Sequence, residues 1–290
     1  MFDLPLPSAP TPPVITDHPV YGHPPVGDPY VLGRWHKGRV TPRGYARAGA
    51  VWARCAMLPP GPMPRRFLIF GRPRSGSTLL ARLLNQVHGV ACAGEMLNYA
   101  MGHPHRYLNG LARLSGAQVF GSKFLSYQML EIQRTPDPSA FFADLADDGY
   151  TLLHLRRNTF DQALSLSLAQ ATGHYHRLKG DRKAPPQAQV DIAPDAFADQ
   201  FAWNAQLLDF EDRLMSGVPH IRVSYEEDLS QARFHQRTID RICARLGLPP
   251  SPVKADMRRI GGPNGIVRAR NAKELRLMMG SPALPVRLAG

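Results

Sequence analysis

Apolar residues in this chain fall into two kinds of stretch that take turns: short unbroken runs, and longer segments in which they recur every three or four positions. Phe67 to Phe70 is such a run, bounded by Arg66 and Gly71, and Leu79, Leu80, Leu83, Leu84 and Val87 follow at helical spacing. Val119 to Ser122, Tyr150 to Leu155 and His220 to Val223 read as further strands. Helices are predicted up to Ala171, from Asp195 to Met215, and up to Leu246. Such alternation predicts an α/β fold, a parallel sheet flanked by helices on both faces. Residues 99–118 and 173–193, rich in Gly, His, Arg or Pro, read as loops or irregular helices that would line a pocket.

Composition changes this picture at the amino end. Half of the 28 prolines lie before Arg65, which predicts a Pro-rich, extended N-terminal arm over residues 1–64 joined to one α/β domain over 65–290. Tyr21, Tyr30 and Trp35 give the arm groups to dock with, and an arm that wraps or swaps would support a homodimer. A chain of 290 residues can bury one substantial core. Cys55, Cys92 and Cys243 are odd in number and widely spaced, so free buried thiols are expected rather than disulfides. With neither a charged-then-apolar leader nor a long apolar run, a cytoplasmic protein without a transmembrane segment is expected.

The candidate chemistry lies in the turn between the first strand and its helix, Gly71-Arg72-Pro73-Arg74-Ser75-Gly76-Ser77-Thr78. Its glycine spacing is that of a nucleotide P-loop, whose backbone N–H groups cradle phosphate at a helix start. Ser75, Ser77 and Thr78 add hydroxyls there, but Ser77 stands where a P-loop carries its lysine. The strand Tyr150 to Leu155 runs into Arg156 and Arg157 rather than an aspartate, so metal-dependent phosphoryl transfer is disfavoured. Arg74 can instead meet a leaving phosphate without a metal. Arg157 and Ser165, eight residues apart across the next strand-to-helix turn, can grip a second anion at the same sheet edge. Two phosphate sites imply a doubly phosphorylated nucleotide.

These paired motifs resemble the sulfotransferases that use 3′-phosphoadenosine 5′-phosphosulfate. The wording Pro-Arg-Ser-Gly-Ser-Thr-Leu-Leu is similar to the bacterial carbohydrate branch, which includes trehalose and nodulation-factor sulfotransferases. Gly94-Glu95-Met96-Leu97-Asn98, Phe120-Gly121-Ser122-Lys123 and Val223-Ser224-Tyr225-Glu226-Glu227-Asp228-Leu229 resemble it too, so the likeness covers residues 66–246. It implies a P-loop-like, sulfotransferase-type α/β fold. It also implies that Arg74, Ser75, Gly76, Ser77 and Thr78, with Arg72 beside them, bind the 5′-phosphosulfate, and that Arg157, Asn158 and Ser165 bind the 3′-phosphate. Tyr225 is placed near the nucleotide, and Arg268 and Arg270 are candidates for a late basic contact.

Sulfuryl transfer needs a base for the acceptor hydroxyl, a cation for the leaving phosphate and donors for the sulfonyl oxygens. Arg74, an always-charged group, is the candidate leaving-group cation. Glu95, ending the strand after the loop helix, is the candidate base. Lys123 is placed to donate to the sulfonyl oxygens or orient the acceptor. His88, His103, His105 and His154 are rival bases, and His174 and His176 lack a third ligand, so no metal is expected. The resemblance favours a small-molecule or glycan acceptor, a sugar hydroxyl on a carbohydrate or glycolipid first and a hydroxylated lipid or small metabolite second. The net charge of +12 also fits a non-catalytic polyanion or nucleic-acid binder. Lys and Arg are scattered, however, and cluster best at the nucleotide-loop positions, so a nucleic-acid partner is not expected.

Overall fold

The computed structural model describes residues 42–133, 135, 137–173, 188–257 and 267–280. In chain order the elements are α1 (Pro42–Ala56), β1 (Arg65–Gly71), α2 (Ser77–Leu84), β2 (Val90–Glu95), α3 (Pro104–Leu114), β3 (Val119–Leu125), a π-helical turn (Gln128–Gln133) and α4 (Pro138–Asp147). They continue with β4 (Tyr150–Arg156), α5 (Thr159–Thr172), β5 (Ala188–Val190), α6 (Pro194–Ser216), β6 (His220–Ser224), a second π turn (Tyr225–Leu229), α7 (Ala232–Arg245), β7 (Val267–Ala269) and α8 (Ala272–Met278).

Among the described residues, five strands form one parallel sheet in the order β2-β3-β1-β4-β6. The unbroken apolar run of β1 is explained by its central place, since a strand covered on both faces has no polar side to show. Its successive side chains alternate between two cores. Phe67 and Ile69 join Leu80, Leu83, Leu84, Ile239 and Ile242 of α2 and α7, while Leu68 and Phe70 join Leu108, Phe142, Phe210 and Leu214 of α3, α4 and α6. The chain leaves β1 toward β2 on one side and leaves β4 toward β6 on the other. The crevice between the carboxyl ends of β1 and β4 is therefore the topological switch point, where ligands of open α/β sheets bind.

Three expectations change: within 173–193, read as a loop or irregular helix, Ala188–Val190 forms β5, and 174–187 lie outside the described residues. Residues 42–56, read as part of an extended arm, form the helix α1, with Gly44, Ala48 and Val51 buried against the domain. It lies close to α3, where a Cβ on Gly110 would come within 2.5 Å of Val51 Cγ1. The i, i+4, i+7 spacing of Gly44, Ala48 and Val51 was the available signal, masked by the prolines on either side. Residues 1–41, with Tyr21, Tyr30 and Trp35, lie outside the described residues. Within 99–118, Pro104–Leu114 is a regular helix, started by Pro104 where the missing N–H costs nothing.

Cys92 and Cys243 are buried and Cys55 is half-buried, all as free thiols. No described helix is long and apolar enough to cross a membrane.

Candidate active site

β1 and β4 approach so closely at their carboxyl ends that Gly71 is required. It pairs with Leu155, and a Cβ there would sit 2.3 Å from the Leu155 carbonyl oxygen. Beyond it the loop turns back through Arg74, which holds a left-handed φ of 63°, the one non-glycine among the described residues to do so. Such backbone strain in a β-unbranched residue persists only where surrounding contacts enforce it. Three contacts do so: the carbonyls of Arg72, Pro73 and Arg74 accept from Ser75 Oγ (2.6 Å), Gln162 Nε2 (2.6 Å) and Arg157 Nη1 (2.7 Å). In a trans peptide the N–H points away from the carbonyl, so the N–H groups of Arg74 and Ser75 face the side opposite those partners. The start of α2 has no side-chain cap and no acidic residue in its first turn, so its N–H groups add to donors of the kind that can meet an anion.

The second turn interlocks with the first. Arg157, at the end of β4, grips the Arg74 carbonyl and stacks on Tyr225, its guanidinium 4.3 Å from the ring centroid. Arg74 Nε donates to Ser165 Oγ on α5 at 3.3 Å, so the first loop and the helix after the second turn share a contact. Tyr225 serves both, because it also packs on Gly76, where a Cβ would come within 2.7 Å of its ring. Asn158 caps α5 by accepting from the Asp161 N–H (3.1 Å), and its own N–H donates to Glu226 (3.0 Å). The Tyr225-Glu226 pair thus props the second turn from below.

A third group stands on the other side of the loop. Glu95 ends β2 opposite Lys123 on β3, and Lys123 Nζ donates to Glu95 Oε1 (3.3 Å) and to Thr78 Oγ1 (3.1 Å). Gln128, at the start of the first π turn, donates from Nε2 to Glu95 Oε2 (2.7 Å). Its Oε1 is occupied by the Leu125 N–H (3.0 Å), which fixes the amide with its donor toward the carboxylate. Gln128 went unnoticed in the sequence, since a lone glutamine after a strand carries no motif. Burial pushes the Cys92 thiol up to about 12 despite Lys123 nearby, which removes it as a nucleophile.

Several expected residues take other places. Arg72, expected beside the nucleotide, has instead a fully buried side chain bonded to the carbonyls of Asn204 (2.9 Å) and Arg157 (2.8 Å). The Ser75 hydroxyl is buried as well and closes the loop on itself. Arg268 lies exposed on β7, and Arg270 pairs with Asp191 (3.4 Å). Residues 258–266 lie outside the described residues, as do His174 and His176. Of the rival bases, His88 and His105 lie toward the amino ends of the strands, where His105 pairs with Asp148 (2.7 Å). His154 is buried inside β4, and His103 packs beside Trp52 at 6.1 Å between ring centroids. Among the described residues no group of three His, Cys, Asp or Glu could hold a metal ion.

No family model matches the chain. Over 144 residues it is 27% identical to nodulation protein H of Rhizobium tropici, a match covering 45% of this chain and 57% of that protein. Over 145 residues it is 32% identical to nodulation protein H of Rhizobium meliloti (strain 1021), covering 44% and 56%. The chain thus spans little more than half the length of these curated relatives. Among solved structures it aligns with sulfotransferase STF9 from Mycobacterium avium (TM-score 0.44, 13% identity, 76% of this chain and 78% of that one). It also aligns with the sulfotransferase domain of the Synechococcus PCC 7002 olefin synthase (TM-score 0.38, 18% identity, 80% and 93%). Nodulation protein H is thus what this chain is similar to in sequence, over a little under half of its length.

Proposed function

We propose that the chain transfers a sulfuryl group from 3′-phosphoadenosine 5′-phosphosulfate to an acceptor hydroxyl, without a metal. The observation that carries this reading is the interlock of two cationic turns at the switch point, through Arg74 to Ser165 and Arg157 to the Arg74 carbonyl, with a Glu95–Lys123 pair beside them. The donor supplies an electrophilic sulfur and a phosphate leaving group. Residues 74–78 hold its 5′ end through backbone N–H groups, and Arg157 with Ser165 holds its 3′-phosphate.

Glu95 accepts the proton of the acceptor hydroxyl as its oxygen bonds to sulfur. The bond from sulfur to the bridging phosphate oxygen breaks, and Arg74 meets the charge that grows on that oxygen. Lys123, 3.1 Å from Thr78 Oγ1 and 3.3 Å from Glu95 Oε1, stands between loop and base and can donate to the equatorial sulfonyl oxygens. A sugar hydroxyl on a carbohydrate or glycolipid is the acceptor class this reading favours.

Calorimetric titration with adenosine 3′,5′-bisphosphate, alongside ADP and ATP with magnesium, tests the donor assignment. Selective, metal-free binding of the bisphosphate is expected. Tighter binding of ATP with magnesium would reverse the reading in favour of a kinase, and uniformly weak, salt-sensitive binding would favour a general polyanion site.

A further inference from the structure

Arg72 sits directly below the first loop, fully buried, and its charge is matched by a carboxylate that is equally hidden. Glu211 of α6 is 0% exposed, with Oε2 3.7 Å from Arg72 Nε and 3.6 Å from His154 Nε2. Neither Glu211 oxygen makes a hydrogen bond to a described residue. A buried ion pair of this kind contributes little net stability, because desolvation offsets the attraction. What it supplies is a guanidinium fork held in one orientation. One prong of that fork donates from Nη2 to the Arg157 carbonyl (2.8 Å), and the other from Nη1 to the Asn204 carbonyl (2.9 Å) and Thr159 Oγ1 (3.3 Å).

The contact with Arg157 is reciprocated. Arg72, in the first loop, donates to the main chain of the second turn, and Arg157, in the second turn, donates to the main chain of the first loop at Arg74. Neither turn can shift without moving the other's backbone. Arg74 and Arg157, the groups read as phosphate ligands, are therefore set by a single buried device that itself touches no ligand.

We propose that Arg72, held by Glu211, is a positioning residue that couples the two phosphate sites, so that filling either one pre-organises the other. This inference rests on the donor reading above. Coupling between sites is reciprocal and commonly changes affinity by about 5- to 150-fold. It therefore has a readout distinct from stability: the factor by which the 5′-phosphate enhances the gain from the 3′-phosphate, taken from the dissociation constants of adenosine, its 5′-phosphate, its 3′-phosphate and its 3′,5′-bisphosphate as a thermodynamic cycle.

The test compares that factor in the wild-type chain, in Arg72→Lys, and in the double variant Arg72→Met/Glu211→Gln. Lysine keeps the charge opposite Glu211 but is a single point donor that cannot bridge both turns. The double variant leaves neither of the two charges buried alone, and so is expected to fold where a single deletion could fail. The expected result is a fall of about tenfold or more in the factor for both variants. A lower melting temperature with an unchanged factor would mean that Arg72 is structural only, and would overturn the inference.

Hydrogen exchange on the wild-type chain gives a second reading that needs no variant. Adenosine 5′-phosphate alone is expected to slow exchange at residues 156–160 as well as at 72–78, and protection confined to 72–78 would also overturn the coupling. A wild-type factor near one would overturn the coupling; if the wild-type chain binds the bisphosphate no tighter than adenosine 5′-phosphate, the donor reading itself has failed at the second site, a distinguishable result.

Discussion

The two ends of the sheet use similar side chains to opposite effect. At the amino ends, Asp148 accepts from Arg66, Asn109 Nδ2 (2.7 Å) and His105 (2.7 Å), and Asn109 in turn accepts from Arg66 (2.7 Å) and the Tyr150 hydroxyl (2.8 Å). Arg66 also lies over the Tyr150 ring at 4.8 Å, so the cation, the carboxylate and their neutral partners close on one another. At the carboxyl ends, Arg74 donates to Ser165, Arg157 donates to the Arg74 carbonyl and Lys123 donates to Glu95, while Gln162 holds the Pro73 carbonyl. The first arrangement satisfies itself and holds helix α3 to the start of β4. The second ties cationic side chains to two turns whose backbone N–H groups lie at the start of a helix, where an anion is favoured. Arginine alone therefore says little about function in this chain; the groups around it say more.

Breaking the carboxyl-end cluster is expected to affect chemistry first. Arg74→Ala should slow transfer by roughly a thousandfold while bisphosphate affinity changes far less, because the proposed mechanism has Arg74 act on charge that develops in the transition state. Single-turnover rates set beside calorimetric affinities check this, and equal losses in both would reassign Arg74 to binding. Glu95→Gln should cost on the order of 10²- to 10⁴-fold in turnover with donor-product affinity intact. If that variant keeps full activity, a different group takes the proton.

Gln128→Leu removes a buried donor from Glu95 without touching either phosphate turn. A roughly tenfold loss in kcat with unchanged bisphosphate affinity is expected; an affinity loss of the same size would show that Gln128 supports the loop rather than the base.

The smallest effect on activity is expected at the amino ends. Burial pushes the Asp148 carboxyl up, but hydrogen bonds from Asn109, His105 and Arg66 outweigh it and leave it below its ordinary value of 3.8. A carboxyl lowered in the folded state adds stability above its unfolded value and loses it as pH falls through the folded one. Asp148→Asn should therefore lower the melting temperature at pH 7 by a few degrees, with the difference from wild type closing below about pH 4, and turnover should stay near wild type. Loss of activity in this variant without loss of stability would erase the contrast between the two sheet ends.

Much of the fold could be read along the chain because its signals are local. The run Phe67 to Phe70 has no polar side because β1 is covered on both faces, and the strand and helix around Tyr150 and Asp195 fall within a residue or two of where their patterns place them. Helix α1 was obscured because Pro42 and the Pro59–Pro64 cluster dominate the composition there, although proline at a helix's first position favours it. Site residues followed the same division. Arg74, Arg157 and Ser165 sit in spaced motifs, whereas Gln128, Glu211 and Asn204 come from three separate elements and have no spacing to betray them.

By itself, then, the sequence determined the alternating α/β order, the two glycines at which the loop after β1 must turn, and the residue types that could bind two phosphates. Each of these follows from backbone conformation or from periodicity within a few residues. Which arginine stays partly exposed and which lies buried beneath the loop was decided only in three dimensions. Arg72 and Arg74 are two residues apart with the same chemistry, and they differ because Arg74 turns through a left-handed backbone toward Ser165 while Arg72 points down to the Asn204 and Arg157 carbonyls and Glu211. Those partners lie 83 or more positions away in the chain, and only the packing of α5 and α6 against the sheet brings them to the loop.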